Sequence, residues 1–188
     1  GGGARTATGF TGSVAEVPAR TEDGKTVLEV TLDGYDSAIY TISKAHGTYN
    51  VRSFGAKGDG ETPDTKALQA AADAAYAAGG GTVVIPAGTY LSGALFFKDG
   101  VDLEIQEGAT LRSTLDSDDF PQISTRFEGI EHMFRCAFLN FDHSRGVHVY
   151  GGGKIDGRGQ EWREVKNKDG HLGRPRILCL TDCPGRPL

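Results

Sequence analysis

Cysteine is scarce and odd in number: Cys136, Cys179 and Cys183 are the only three in 188 residues. That excludes a disulfide framework and leaves either a single bridge or buried thiols. Long apolar runs are missing too; none approaches the ~18 residues that a membrane-spanning helix needs. Positive charge is not in excess. Twenty Lys and Arg stand against 25 Asp and Glu, a formal net charge of −5, which argues against a nucleic-acid partner held through its phosphates. A glycine period of three is absent, so collagen is excluded. Apolar residues at 38% are too many for a disordered tail. What is plentiful is glycine, 28 residues or about 15% against a usual ~7%. Together with seven prolines it points to many tight turns and therefore many short strands. The length suits one sizeable domain with room for a small appendage.

Residues 1–12 are small and polar and read as a lead. Residues 13–48 read as a small β-rich segment. In it Thr26–Leu32 alternates, Asp33-Gly34 is a turn and Ala38–Ile42 is the returning strand. Such a hairpin is too small to be stable alone. From Tyr49 the character changes. A glycine-punctuated loop, Phe54 to Gly60, leads into the single convincing helix. Thr62 is expected to cap it, with Pro63 in the first turn and Asp64 favouring the N-terminus. The body runs from Thr65 to Ala78, with Leu68, Ala71, Ala72 and Ala75 on one face. Gly79-Gly80-Gly81 stops it.

Beyond Gly81 only short strands are expected: Thr82–Ile85, Val101–Gln106 with Val101, Leu103 and Ile105 inward, Gly146–Tyr150 with Val147 and Val149 inward, and Arg176–Thr181. Their starts are separated by 19, 46 and 29 residues. Those gaps fit one, two and one turns of a ~20–30-residue repeat, the range of solenoids. A jelly roll or sandwich also shows short strands with turns. A solenoid explains the lone helix, because stacked coils leave an apolar end that must be covered. A thin alanine face allows the close approach this requires.

Three stretches carry a resemblance. Asn50-Val-Arg-Ser-Phe-Gly-Ala-Lys-Gly-Asp-Gly60, Asp64-Thr-Lys-Ala-Leu-Gln-Ala-Ala71 and Gly79-Gly-Gly-Thr-Val-Val-Ile-Pro-Ala-Gly-Thr-Tyr90 resemble the opening of the pectin-degrading β-helix superfamily. Polygalacturonases, some lyases and phage tailspikes share that opening. Leu103 to Leu111, Gly151-Gly-Gly-Lys-Ile-Asp-Gly-Arg-Gly159 with Trp162, and Arg174-Pro175 followed by Ile177 to Cys183 are similar to glycoside hydrolase family 28. The resemblance covers about residues 49–184. It implies an all-β fold: a right-handed parallel β-helix with an N-terminal capping helix, beginning at residue 49. It also implies inverting hydrolysis of α-1,4-galacturonosidic links in pectin, without a cofactor. The partner is then an acidic polysaccharide such as polygalacturonate, and the location is secreted or periplasmic.

The family's catalytic aspartates lie in an Asn-Thr-Asp segment and a following Asp-Asp pair, with Gly-His-Gly and Arg-x-Lys later. No Asn-Thr-Asp, Gly-His-Gly or Arg-x-Lys occurs here in matching context. No residue of this chain is therefore assigned a catalytic, cofactor or metal role, and substrate-binding positions stay unassigned. With Gly1-Gly2-Gly3 at the start and no closing helix after Cys183, the chain is expected to be the N-terminal portion of a longer protein. Trp162 is followed by Arg163 where the family often has a second tryptophan, which leaves the finer substrate assignment open. Other readings are a polysaccharide-binding or structural, tailspike-like β-helix, and a calcium-assisted pectin lyase.

Several residues imitate sites. Asp116, Asp118 and Asp119 resemble a carboxylate pair or a calcium site, but their flanks suit a solvated loop. Gly151–Lys154 lacks phosphate-loop spacing. His46, His132, His143, His148 and His171 have no metal spacing, and His148 alternates outward. Cys179 reads as a buried thiol in an apolar strand. Trp162 and Arg163 could touch a sugar, though packing on the coils is the commoner role of such a tryptophan. Asp156 reads as turn chemistry.

Overall fold

The computed structural model describes residues 20–22, 25–27, 47–127, 130–165, 174–181 and 183. The chain divides into two compact units, Gly1–Ser43 and Lys44–Leu188. In the first, β1 (Arg20–Glu22) pairs antiparallel with β2 (Lys25–Val27). The hairpin expected between Thr26–Leu32 and Ala38–Ile42 is thus displaced towards the N-terminus over its described part: Thr26 and Val27 pair backwards with residues 20–21. The remainder of that expected hairpin, with His46 and His171, lies outside the described residues.

The second unit is a parallel β-helix with three faces. Its strands are β3 (Gly47–Asn50), β4 (Asp59–Pro63), β5 (Gly81–Ile85), β6 (Gly88–Ser92), β7 (Leu95–Phe97), β8 (Val101–Ile105) and β9 (Ala109–Ser113). They continue with β10 (Gln122–Phe127), β11 (Ile130–Arg135), β12 (Leu139–Asp142), β13 (Val149–Tyr150), β14 (Lys154–Asp156) and β15 (Leu178–Thr181). The first sheet stacks β3-β5-β8-β13, the second β4-β6-β9-β14 and the third β7-β12-β15. All neighbours in these three sheets are parallel.

Register turns the alternation of each strand into stacked rows. Val83 lies beside Leu103 and that beside Val149; Tyr90 lies beside Leu111 and that beside Ile155; Phe97 lies beside Phe141. The Phe97 and Phe141 rings stack at 4.8 Å with 15° between their planes. These side chains form one core with the apolar face of the helix.

The helix α1 (Thr65–Ala77) stands between β4 and β5, the place that a third-sheet strand takes in later coils. It buries Leu68, Ala71, Ala72 and Ala75, the face read from the sequence, and packs on β3, β5 and β7. The small alanines let its backbone lie close over the first coil. Gly79 and Gly80 end it with φ of +87° and +119°, values that side-chain-bearing residues rarely adopt. Its start differs from expectation. Thr62 and Pro63 belong to β4, and Thr62 Oγ1 donates to Asp59 Oδ2 at 2.7 Å. Asp64 holds the cap position, yet its carboxylate turns away from the helix to accept the backbone N–H groups of Lys57 (2.6 Å) and Gly58 (2.9 Å). A buried carboxylate gains more from two otherwise orphaned donors than from one helical N–H.

The helix also closes a strand edge. β7 is the first strand of the third sheet, so its outer backbone groups lack a strand partner. The amide of Gln69 takes that role: Phe96 N–H donates to Gln69 Oε1 at 2.9 Å, and Gln69 Nε2 donates to the Phe96 carbonyl at 2.8 Å. Thr65 Oγ1 accepts the Gly93 N–H at 2.9 Å.

The coil spacing differs from the sequence reading in two respects. Gly81 pairs with Val101 and Leu103 with Val149, so the 46-residue interval is one coil, not two. The excess is an antiparallel hairpin, β10 with β11, inserted between β9 and β12. The apolar stretch at 176–181 contains β15, which stacks on β12 in the third sheet and does not continue the first. Its 29-residue gap is therefore not a coil repeat.

Candidate functional site

The three corners of the solenoid are unequal. Between the first and second sheets the chain turns in residues 51–58 under the cap and then in only two or three residues, 86–87, 106–108 and 151–153. Between the second and third it turns in residues 93–94 in the first full coil, but in 114–138 and 157–177 in the next two. Long excursions on a rigid scaffold are where binding groups accumulate, so this corner is where the structure places its candidate site.

The first excursion is pinned down by the acidic cluster. Asp116 Oδ1 accepts the Asp118 N–H at 2.9 Å, and Asp119 Oδ2 accepts the Thr114 hydroxyl at 2.6 Å. The Asp119 carbonyl accepts the Ala94 N–H of the preceding coil at 3.0 Å. These aspartates shape a loop, as expected. Phe120 is carried inward and buried. From the second excursion Trp162 packs edge-on against Phe120, with centroids 5.4 Å apart and planes at 88°. Trp162 Nε1 donates to Ser113 Oγ at 3.4 Å, and the Arg135 guanidinium lies 5.7 Å from its ring. Trp162 is buried, so it is a packing residue and offers no platform for a sugar.

On the outer face of the second sheet, register places Lys154 beside Thr110 and Asp156 beside Arg112. Arg112 reaches Asp156 Oδ2 at 3.6 Å and Glu161 Oε1 at 3.5 Å. Arg158 donates to the same Glu161 oxygen from Nε and a terminal nitrogen, at 3.2 and 3.1 Å, and to the Ser113 carbonyl at 3.4 Å. Asp156 Oδ1 accepts the Arg158 N–H at 3.1 Å, the turn role read from the sequence. Arg158 holds φ of +50°, a conformation uncommon for a side-chain-bearing residue, at the point where the chain leaves β14. The two guanidiniums and two carboxylates pair with one another. The group ties the second excursion to the coil below through Arg112 and the Ser113 carbonyl. Around it stand Lys154, Arg163 and Arg174, all exposed.

The remaining imitations resolve as packing or surface chemistry. His148 points outward, and its Nδ1 lies 3.1 Å from Asp102 Oδ1. His143 Nδ1 lies 2.8 Å from Asp142 Oδ1. The side chain of His132 lies outside the described residues. Cys136 is buried, and burial pushes its thiol up to about 11. Cys179 is only half-buried, contrary to expectation; it lies beside Asn140, while Leu178 and Leu180, in register with Leu139 and Phe141, are themselves exposed. Among the described residues no group of three or more His, Cys, Asp or Glu could hold a metal ion. Among them, too, no helix is long and apolar enough to cross a membrane. Sequence reasoning missed the hairpin at 122–135 and the Arg112–Glu161 latch. The 46-residue interval was the available signal for the first. The second depends on register between strands 44 residues apart, such as Arg112 and Asp156.

A family model described as rhamnogalacturonase A/epimerase, pectate lyase-like, matches residues 48–104, the cap and first coil. Exo-poly-alpha-D-galacturonosidase of Dickeya chrysanthemi is 30% identical over 161 residues, covering 79% of this chain and 26% of that protein. Mannuronan C5-epimerase AlgE3 of Azotobacter vinelandii is 48% identical over 87 residues, 40% of this chain and 5% of the other. Among solved structures, the family 28 exopolygalacturonase of Yersinia enterocolitica superposes with a TM-score of 0.55 and 33% identity, over 70% of this chain and 25% of that one. The chain therefore spans about a quarter or less of the length of the curated relatives it matches.

Proposed function

The chain is a glycoside hydrolase family 28-like protein of the pectin lyase-like β-helix superfamily, and on that premise we propose that the whole protein hydrolyses the α-1,4-galacturonosidic links of an acidic polysaccharide such as polygalacturonate. The observation that supports this most is the 30% identity with an exo-poly-alpha-D-galacturonosidase, carried across 161 residues and so beyond the widely shared cap. Inversion needs a carboxylic acid and a carboxylate separated by room for a water, ~6.5–9.5 Å. Among the described residues Asp156 and Glu161 are bound to guanidiniums and Asp119 to Thr114, which supports a catalytic pair other than these three. This portion supplies the sealed end and the first coils on which such a site is built. The reaction takes no cofactor. A polymeric substrate places the protein outside the cytoplasm, secreted or periplasmic.

The expected result is release of reducing ends from polygalacturonate by the whole protein and none by this chain alone. Hydrolysis by these 188 residues would overturn the assignment of the catalytic pair. A second reading, epimerase or lyase action on a uronate polymer, is favoured by the 48% identity with a mannuronan C5-epimerase. Inverted C5 configuration in the polymer, or unsaturated products absorbing in the ultraviolet, would replace hydrolysis with that chemistry.

A further inference from the structure

We propose that the outer face of β14, with the described residues 157–164 and 174–176, forms a cationic platform that holds an acidic polysaccharide by its carboxylates, separately from any bond-breaking centre. The choice of polymer rests on the reading above; the surface itself is read from charge placement. The chain carries a net charge of −5, yet residues 154–164, 174–176 and Arg112 bring together six cations (Arg112, Lys154, Arg158, Arg163, Arg174 and Arg176) against three carboxylates (Asp156, Glu161 and Glu164).

Five of these cations divide into two groups; Arg176 has its own partner and belongs to neither. Arg112 and Arg158 are consumed by Asp156 and Glu161. Lys154, Arg163 and Arg174 have no ion pair among the described residues. All three are exposed. Lys154 shares the outer face of β14 with Asp156, ~6–7 Å along the strand. Arg163 sits in the short helical turn Glu161–Arg163, whose tryptophan anchors it to Phe120. Arg174 lies along the backbone of Gly159; a Cβ there would stand 3.3 Å from its guanidinium. The latch thus fixes the backbone under the free cations without neutralising them. Unpaired cations grouped on a supported backbone are an arrangement that a linear polyanion rewards, because neighbouring carboxylates engage with less further ordering.

The test is retention of the 188-residue chain in native gels cast with polygalacturonate, compared with gels cast with an uncharged polysaccharide. The triple variant Lys154→Gln/Arg163→Gln/Arg174→Gln is expected to bind polygalacturonate roughly tenfold more weakly, from three exposed charge contacts of ordinary strength. Its melting temperature should be unchanged, since no internal partner is lost. Lys57→Gln/Lys66→Gln, which removes exposed cations near the cap, is expected to change binding less than about twofold. Equal weakening in both variants, or none in the triple variant, would overturn the platform. So would retention of a DNA oligomer as strong as that of polygalacturonate, which would make the surface a general polyanion binder. The assay contains no catalysis. Loss of the hydrolase assignment leaves its outcome intact, and a negative binding result leaves hydrolysis by the whole protein open to its own test.

Discussion

Replacing Asp64 with alanine tests how the cap is joined to the coils. The Asp64 side chain is buried at 3% exposure and accepts Lys57 N–H at 2.6 Å and Gly58 N–H at 2.9 Å. Its own N–H donates to the Leu91 carbonyl at 2.7 Å, and its carbonyl accepts the Leu68 N–H at 3.0 Å. The residue therefore ties the 57–58 turn, β6 and the first helical turn together. Alanine keeps the two backbone bonds and removes the two to the carboxylate. Hydrogen bonds to a charged group contribute ~1.5–3 kcal/mol each, and the turn can rehydrate in part, so the net loss is about 3 kcal/mol. For a domain of this size that lowers the melting temperature by roughly 6–12 °C. Asparagine should recover less than half, because its NH2 faces a second donor. Thermal unfolding followed by circular dichroism reads all of this. Thr62→Ala is the comparator. If Thr62→Ala costs more than Asp64→Ala, or if Asp64→Ala melts within ~2 °C of wild type, the turn is not held as described and Thr62 caps the helix after all.

Two further perturbations probe the same end of the rod. Gln69→Ala removes the amide that pairs with both backbone groups of Phe96; a loss of about 1–2 kcal/mol is expected, with faster amide exchange at Phe96, whereas Gln69→Glu should restore only the bond from the Phe96 N–H. Protection at Phe96 unchanged by Gln69→Ala would show that another group closes the β7 edge. Asp59 is held at a pKa of about 2, below 3.8, chiefly by the Thr62 hydroxyl and then by the backbone N–H groups of Thr62 and Glu61. A depressed carboxylate stabilises the fold above its unfolded pKa and ceases to do so as pH falls through the folded value. The advantage of wild type over Asp59→Asn should therefore be constant above pH ~4 and vanish by pH ~2. A difference that persists below pH 2 would sink the assignment.

Much of the fold was legible because it is written in local periods. Val101, Leu103 and Ile105 alternate, and they are buried. Leu68, Ala71, Ala72 and Ala75 recur at helical spacing, and they face the core. Such patterns give a strand or a helix, but not the sheet to which a strand belongs. For that reason the stretch at 176–181, which contains β15, reads from sequence as continuing Val101–Ile105, although it stacks on Leu139–Asp142. The count of coils failed for a related reason: a hairpin inserted at a corner adds residues without adding a turn. Thr62 reads as the cap and Asp64 as a favourable first-turn charge, because hydroxyl and carboxylate are equally good cap chemistry in sequence. Only the folded turn at Lys57-Gly58 decides where the carboxylate goes. The role of Gln69 was illegible, since its partner is the edge of a strand 27 residues away.

The unequal corners explain how such a rod can gain chemistry without losing its core. Leu95, Leu139 and Leu178 occupy one row in three successive coils, although the chain between the second and third sheets runs through residues 93–94 in the first and 114–138 and 157–177 in the others. Register is re-entered each time, so an insertion there changes no ladder and no stacked side chain. Its entropic cost rises only by ~0.6 kcal/mol for each doubling of loop length. An excursion that stayed loose would still be a poor binder, because its groups would have to be ordered by the ligand. Phe120 and Trp162 remove that penalty by packing one excursion on the next at 5.4 Å, and Arg112 with Arg158 fastens the second to β9. Lys154, Arg163 and Arg174 stand on that supported surface, at the corner where insertion is cheapest and rigidity has been restored.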